Sequence, residues 1–246
     1  MGNPMIEIIT SFDKNYYDMI GKDCVESFIT HWDTSLSLTC YVENFRLPEQ
    51  DRIKQIDFSE LDPDYGWFQQ DINQSNSIKK FSKKAYSFIH AMEHSHSKWI
   101  VWMDADVVTI KDLPLSNILD ILKPGHLSMY MGVTYTEDKA GVPGNWLVPE
   151  TGLFAVNTGH RRFTEFKNEY CRRYFERDNS GLRRFYDNDV FGAALNLVSS
   201  ARVVDLSKKF SKPYKTPLPH TVLGEYLRHY KAKHSKVEYN QPALAQ

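Results

Sequence analysis

The chain has 246 residues, 41% of them hydrophobic, which is enough for one large core, and α/β arrangements of this size are common as single units. Its 30 basic and 31 acidic residues leave a formal net charge of -1, which excludes whole-molecule electrostatic affinity for nucleic acid or an anionic membrane. Cys24, Cys40 and Cys171 are odd in number and widely spaced without a CxxC pair, which argues against a disulfide framework and a structural zinc site.

Met5 to Ile9 is a short β-branched run ending at Thr10-Ser11, and it predicts a first strand. The first ten residues lack a basic stretch followed by a long apolar one, and no run approaches the roughly 18 apolar residues that cross a bilayer. Neither a leader nor a membrane span is expected, and the cysteine usage fits a reducing, cytoplasmic compartment. The Asn73-Gln74-Ser75 sequon is then accidental.

Tyr17, Ile20, Cys24, Phe28 and Trp32 recur at helical spacing, Leu36 to Val42 alternates as a strand, and Ile53 to Phe58 reads as a third. The stretch from Asp62 to Asn76 shows no period and reads as irregular. Ile78, Phe81, Ala85, Phe88, Ile89 and Met92 then mark one face of a helix with Ser77 as its N-cap. Trp99 to Met103 is continuously apolar, as a central strand buried on both faces would be. Beyond it, His126 to Val133 and Gly152 to Asn157 read as strands, Arg162 to Arg177 and Val190 to Val198 as helices, and Ala201 to Asp205 as a last strand. Alternation of strands and helices predicts an α/β fold: a single Rossmann-like domain over 1–246, with a mostly parallel central sheet flanked by helices.

The central strand ends in Asp104-Ala105-Asp106, at the sheet edge where open parallel sheets bind ligands. In extended backbone, two-residue spacing puts both carboxylates on one side, about 7 Å apart. Their repulsion, about 2 kcal/mol at an effective dielectric of about 20, is relieved by a divalent cation. Oxygen ligation suits Mg²⁺ or Mn²⁺, which keep positions for water and substrate phosphates, so the implied substrate is a nucleoside diphosphate compound.

The helix segment Lys80-Phe81-Ser82-Lys83-Lys84, the strand Lys98 to Trp102 and Asp104-Ala105-Asp106-Val107-Val108-Thr109 together resemble the donor-site core of GT-A fold glycosyltransferases. The resemblance continues through Glu150-Thr151-Gly152-Leu153-Phe154-Ala155-Val156-Asn157, Tyr186-Asp187-Asn188-Asp189 and Leu227 to Lys236. It implies transfer of a sugar from a UDP- or GDP-sugar to a carbohydrate or other hydroxyl acceptor, with Mn²⁺ or Mg²⁺ held by Asp106, less directly by Asp104, which also approaches the ribose, and by His229 as third ligand. His220 and His234 stand as alternatives to His229, because Ala232 and Lys233-His234 depart from the family's pattern after the His-x-Lys.

The resemblance further places Lys231 and Lys236 near the diphosphate, and Thr10, Ser11 and Phe12 near the base and ribose, with Tyr17 or Tyr16 stacking on the base. Lys84 falls where the family puts a cation near the donor sugar and phosphates. Asp189, Asp187 and Glu150 are the candidates for the base or nucleophile, Asp189 foremost; the first two also suit a helix start. By halves, 1–110 would bind the nucleotide sugar and 111–211 the acceptor, while 212–246, rich in Pro and Lys, would form a lid that orders on donor binding. The loop from Thr134 to Thr151, with Gly141, Pro143 and Gly144, would border the acceptor pocket and bring Trp146 against a sugar ring. A haloacid-dehalogenase-type phosphatase, a nucleotidyltransferase and a non-catalytic sugar-binding protein using Trp67, Phe68 and Trp146 are the rival readings. The first places its Asp-x-Asp near the N-terminus, and the second carries a Gly-rich first loop that Thr10 to Tyr17 lacks.

Overall fold

A computed structural model of the chain describes residues 5–134, 147–182, 184–208 and 217–230. The expectations for Gly141, Pro143, Gly144, Trp146, Lys212, Lys231, His234 and Lys236 lie outside the described residues.

Strand β1 (Ile6–Asp13) leads through one turn, α1 (Lys14–Tyr16), and a π-helical turn (Tyr17–Gly21) into α2 (Lys22–His31). Strands β2 (Leu38–Glu43) and β3 (Ile53–Asp57) follow, then helices α3 (Asp64–Gln70) and α4 (Asn76–His94). After β4 (Trp99–Met103) come β5 (Val107–Thr109), α5 (Leu115–Ile121), β6 (Ser128–Thr134) and β7 (Leu147–Asn157). The described chain continues with α6 (Phe163–Phe175), α7 (Asp187–Leu197), β8 (Val203–Asp205) and β9 (Leu227–His229).

Among the described residues the central sheet has seven strands in the order β3-β2-β1-β4-β7-β6-β8. The pairs β1–β2, β1–β4, β2–β3 and β6–β8 are parallel, whereas β7 runs antiparallel to both β4 and β6. The sheet is therefore mostly parallel, as expected, with one reversed strand, β7, next to the central β4. That reversal matters for the site: the carboxyl end of β4 meets the middle of β7, where Leu153 pairs with Met103 and Gly152 O accepts from Asp104 N at 2.8 Å.

The two faces of the sheet bury separate apolar layers, because successive strand residues point to opposite sides. Ile9, Ile100, Trp102, Phe154 and Val156 face α4, α6 and α7 through Phe88, Phe166, Tyr170 and Phe191. Their neighbours Ile8, Val101, Met103, Leu153 and Ala155 face α2 and α5 through Cys24, Phe28, Ile118 and Ile121. Truncating one of the fully buried aromatics, such as Phe154, would cost about 3–5 kcal/mol. No helix among the described residues is long and apolar enough to cross a membrane.

Several boundaries differ from the sequence reading. Asp62 to Asn76 is not wholly irregular: α3 forms there because Tyr65 and Phe68 bury against Tyr86 of α4, although the helix is too short to show a period. Helix α4 is capped by Ser75, whose hydroxyl accepts from Ile78 N at 3.3 Å, and Ser77 lies inside it. Helix α7 starts at Asp187, three residues before the run read from Val190 but as the acidic pair Asp187 and Asp189 suggests, since acidic residues at a helix start are favourable. The segment read as irregular near the C-terminus holds β9, anchored by Leu218, Leu223 and Leu227, each 3% exposed or less.

Candidate active site

Asp104 and Asp106 follow β4 directly, but in a tight turn rather than in extended backbone, since Val107 N donates to Asp104 O at 2.9 Å. The turn reverses the chain into β5, which pairs antiparallel with β9 so that Val107 lies opposite His229. Tyr230 N donates to Asp106 O at 2.8 Å, and Ile110 N to Tyr226 O at 2.7 Å. This ribbon carries His229 to the aspartates: Nε2 is 3.0 Å from Asp106 Oδ1 and 3.9 Å from Asp104 Oδ2.

One ligand atom from each of Asp104, Asp106 and His229 lies within 4.8 Å of the other two. Carboxylates that close repel by about 3 kcal/mol at an effective dielectric of about 20. The protein offsets part of this with donors. Tyr16 donates to Asp106 Oδ2 at 2.9 Å, while Lys84 Nζ and Trp102 Nε1 donate to Asp104 Oδ1 at 2.9 and 2.6 Å. Burial opposes protonation of His229, yet its hydrogen bond to Asp106 and the charges of Glu150, Asp106 and Asp104 outweigh burial and hold the ring above its ordinary range. Burial, reinforced by Asp106, pushes the Tyr16 phenol well up, so it stays a donor.

The donor set fits a divalent cation. Two carboxylates and an imidazole converge, with Glu150 beside the imidazole and Lys84 between Asp104 and Asp187. Carboxylate oxygens and an imidazole nitrogen are ligand types that divalent cations take. His220, the alternative imidazole, is exposed at the end of the 3-10 turn Leu218–His220 and is not one of the three converging side chains.

Lys84, on α4, is buried and lies 2.9 Å from Asp104 Oδ1 and 3.0 Å from Asp187 Oδ2; it also donates to Thr151 O. Its ammonium lies 5.1 Å from the Trp102 ring centroid. Burial works against its charge, but Asp104 and Asp187 prevail and keep it protonated. The charge expected to face donor phosphates is thus directed at two protein carboxylates.

Asp187 accepts from Thr151 Oγ1 at 2.6 Å, which ties α7 to β7. Asp189 is almost wholly buried, with Arg184 Nε 3.6 Å from Oδ2, and burial raises its carboxyl to about 6 against the opposing charge of Arg184. Glu150 stands apart from these two. Its Oε1 lies 3.5 Å from His229 Nδ1, and its Oε2 accepts from Gly152 N at 3.1 Å.

On the nucleotide side, Thr10 is fully buried in β1, Ser11 is half-buried, and Phe12 packs in the core with Tyr17 and Phe45, ring centroids 5.4 and 6.0 Å away. Tyr17 is thereby part of an aromatic cluster, and Tyr16 is the tyrosine that reaches the aspartates. Of the aromatics read as sugar platforms, Phe68 is fully buried and Trp67 is 67% exposed.

Sequence reasoning missed the hydroxyl of Tyr16, the indole of Trp102 and Gly152. The last had a signal, since a glycine inside a strand often marks close approach of another group. A Cβ at Gly152 would lie 2.5 Å from His229 Cε1.

No family model and no curated protein matches the chain. Among solved structures it is similar to mouse xyloside xylosyltransferase 1 in its apo form, with a TM-score of 0.54 and 10% identity over 82% of this chain and 84% of that one. It is also similar to the apo bifunctional glycosyltransferase WbbM, with a TM-score of 0.52 and 16% identity over 84% of this chain and 39% of that one, so it spans well under half the length of that enzyme. Together with the strand order and the Asp-x-Asp turn after β4, these likenesses identify the fold of this chain as the GT-A fold.

Proposed function

We propose that this protein moves a sugar from a UDP- or GDP-linked donor to a hydroxyl of a carbohydrate or similar acceptor, with Mn²⁺ or Mg²⁺ at Asp104, Asp106 and His229. The observation that carries this reading is the convergence of those three side chains at the sheet edge of a GT-A fold, from segments far apart in sequence. The fold's likeness to sugar-transferring enzymes supports it.

Glycosyl transfer develops positive charge at the anomeric carbon and negative charge on the departing diphosphate. A cation in this site, when bound, supplies the compensation for that negative charge. The chain's own residues do the remainder. Asp104 and Asp106 are held in one orientation by Trp102, Lys84 and Tyr16, so little reorganisation accompanies donor binding. Lys84 links Asp104, in residues 1–110 taken as the donor side, to Asp187, in residues 111–211 taken as the acceptor side.

Asp189 is the residue we assign to the acceptor proton or to the opposite face of the donor sugar, with Asp187 as its neighbour. Its raised carboxyl suits proton transfer near neutral pH. Both its oxygens are buried, so contact with an acceptor requires a neighbouring side chain, such as the 43% exposed Arg184, to turn outward.

Incubating the protein with a panel of UDP- and GDP-sugars, with Mn²⁺ and after chelation, tests the proposal. Slow release of nucleoside diphosphate that depends on the cation is expected; no release from any donor, with or without acceptor sugars, would end this reading.

A further inference from the structure

We infer that Glu150 is a positioning residue for His229: it orients the imidazole so that Nε2 faces Asp104 and Asp106, and it does not act on the acceptor. The inference rests on the reading of Asp104, Asp106 and His229 as a metal centre.

The two ring nitrogens of His229 face different partners. Nδ1 lies 3.5 Å from Glu150 Oε1, while Nε2 points at the aspartates, 3.0 Å from Asp106 Oδ1. A carboxylate behind one nitrogen of a ligating histidine favours Nδ1–H and turns the lone pair of Nε2 toward the metal. Among the described residues, the ion pair Glu150 makes is this one.

Glu150 is itself held. Its Oε2 accepts from Gly152 N at 3.1 Å, and Gly152 O accepts from Asp104 N at 2.8 Å. One short segment of β7 therefore fixes both the carboxylate behind the imidazole and the backbone of the first aspartate. The strand passes so close beneath the ring that a Cβ at position 152 would lie 2.8 Å from His229 Nδ1 and 3.1 Å from Glu150 Oε1. A side chain there would occupy the space of the Glu150–His229 contact, so Gly152 is the condition for it. Glu150 is mostly covered, its side chain 13% exposed, which suits a fixed support better than a group that must meet a mobile acceptor.

The test measures Mn²⁺ binding to the metal-free full chain by titration calorimetry, and the visible absorption bands of the Co²⁺-loaded protein, which report ligand geometry. Wild type is compared with His229→Ala, Glu150→Ala, Glu150→Asp and Glu150→Gln. Glu150→Ala should weaken Mn²⁺ about 10- to 100-fold and shift the Co²⁺ bands. Glu150→Gln keeps an oxygen toward Nδ1 and should restore most of both. Glu150→Asp keeps charge and fold but withdraws the oxygen by one methylene, so it should lose affinity even if Glu150→Ala fails to fold. If His229→Ala weakens Mn²⁺ while Glu150→Asp and Glu150→Ala bind it as wild type does with unshifted bands, the positioning role is overturned and the metal centre stands. If wild type binds no Mn²⁺, or His229→Ala binds it equally well, the metal centre falls and the inference with it.

Discussion

Lys84 Nζ lies 3.0 Å from Asp187 Oδ2, joining α4 to the first turn of α7 beneath the sheet edge. The same ammonium meets Asp104 Oδ1 at 2.9 Å. Lys84→Met fits the buried stem but strands both carboxylates. Breaking a buried pair in this way costs about 3–5 kcal/mol, although Asp104, whose side chain is 29% exposed, retains some solvent. Urea unfolding should show that loss. Asp187→Asn, which leaves Lys84 with Asp104, should cost less; equal stability of Lys84→Met and wild type would show that the network does not support the fold.

Asp106→Asn keeps one acceptor oxygen, enough for Tyr16 or for His229 but not for both, and removes the charge. Because it also relieves repulsion with Asp104, the thermal midpoint without metal should stay close to that of wild type, while Mn²⁺ binding by calorimetry and donor turnover fall below detection. Retained Mn²⁺ affinity would show that Asp106 is not a ligand.

The contrast between these two positions shows what the sequence could and could not reveal. Asp104-Ala105-Asp106 was legible because two charges end the continuously apolar Trp99 to Met103, a pattern that needs only neighbouring residues. The helical face carrying Lys84 was equally legible, yet its partners Asp104 and Asp187 come from the turn after β4 and from α7, and spacing along α4 says nothing of them. The direction of β7 was hidden because an apolar run reads alike both ways, and with it went the position of Glu150 and Gly152 beside His229. Strand β9 has three residues, too few to show a period, and exists because Val107 to Thr109 and the buried Leu227 hold it.

Asp189 sets a pH dependence. Its folded carboxyl, raised by burial to about 6, binds a proton that the unfolded chain, near 3.8, has already released. Between about pH 4 and 6 the folded state therefore holds more protons, and this residue's contribution to stability falls as pH rises through that window. Asp189→Asn should match wild type near pH 4 and be the more stable protein above pH 7. Unfolding free energies from pH 4 to 8 give the difference; a flat difference would place the folded carboxyl in its ordinary range. If Asp189 also acts as a base, kcat/KM should rise through about 6 and do so only when Asp189 is present.

Gly152→Ala tests how tightly β7 and the imidazole are fitted. The new Cβ would meet His229 Cε1 at 2.5 Å, closer than carbon atoms can stay, and Gly152 O is tied to Asp104 N beside the β4 pairing that begins at Leu153, while the register with β6 shifts across this stretch. The ring is then the part expected to give way. His229 can move only by pulling β9 from β5 or by turning its side chain from the aspartates, because Leu227 and Leu223 pin the neighbouring backbone in the core. Overpacking of this kind costs about 1–3 kcal/mol. The loss should appear as a lower thermal midpoint without metal, together with weaker Mn²⁺ binding, since a turned ring no longer presents Nε2. Adding His229→Ala should recover the lost stability, because it removes the atoms the methyl strikes, without recovering Mn²⁺ affinity. A double variant no more stable than Gly152→Ala alone would show that the strain lies elsewhere in β7.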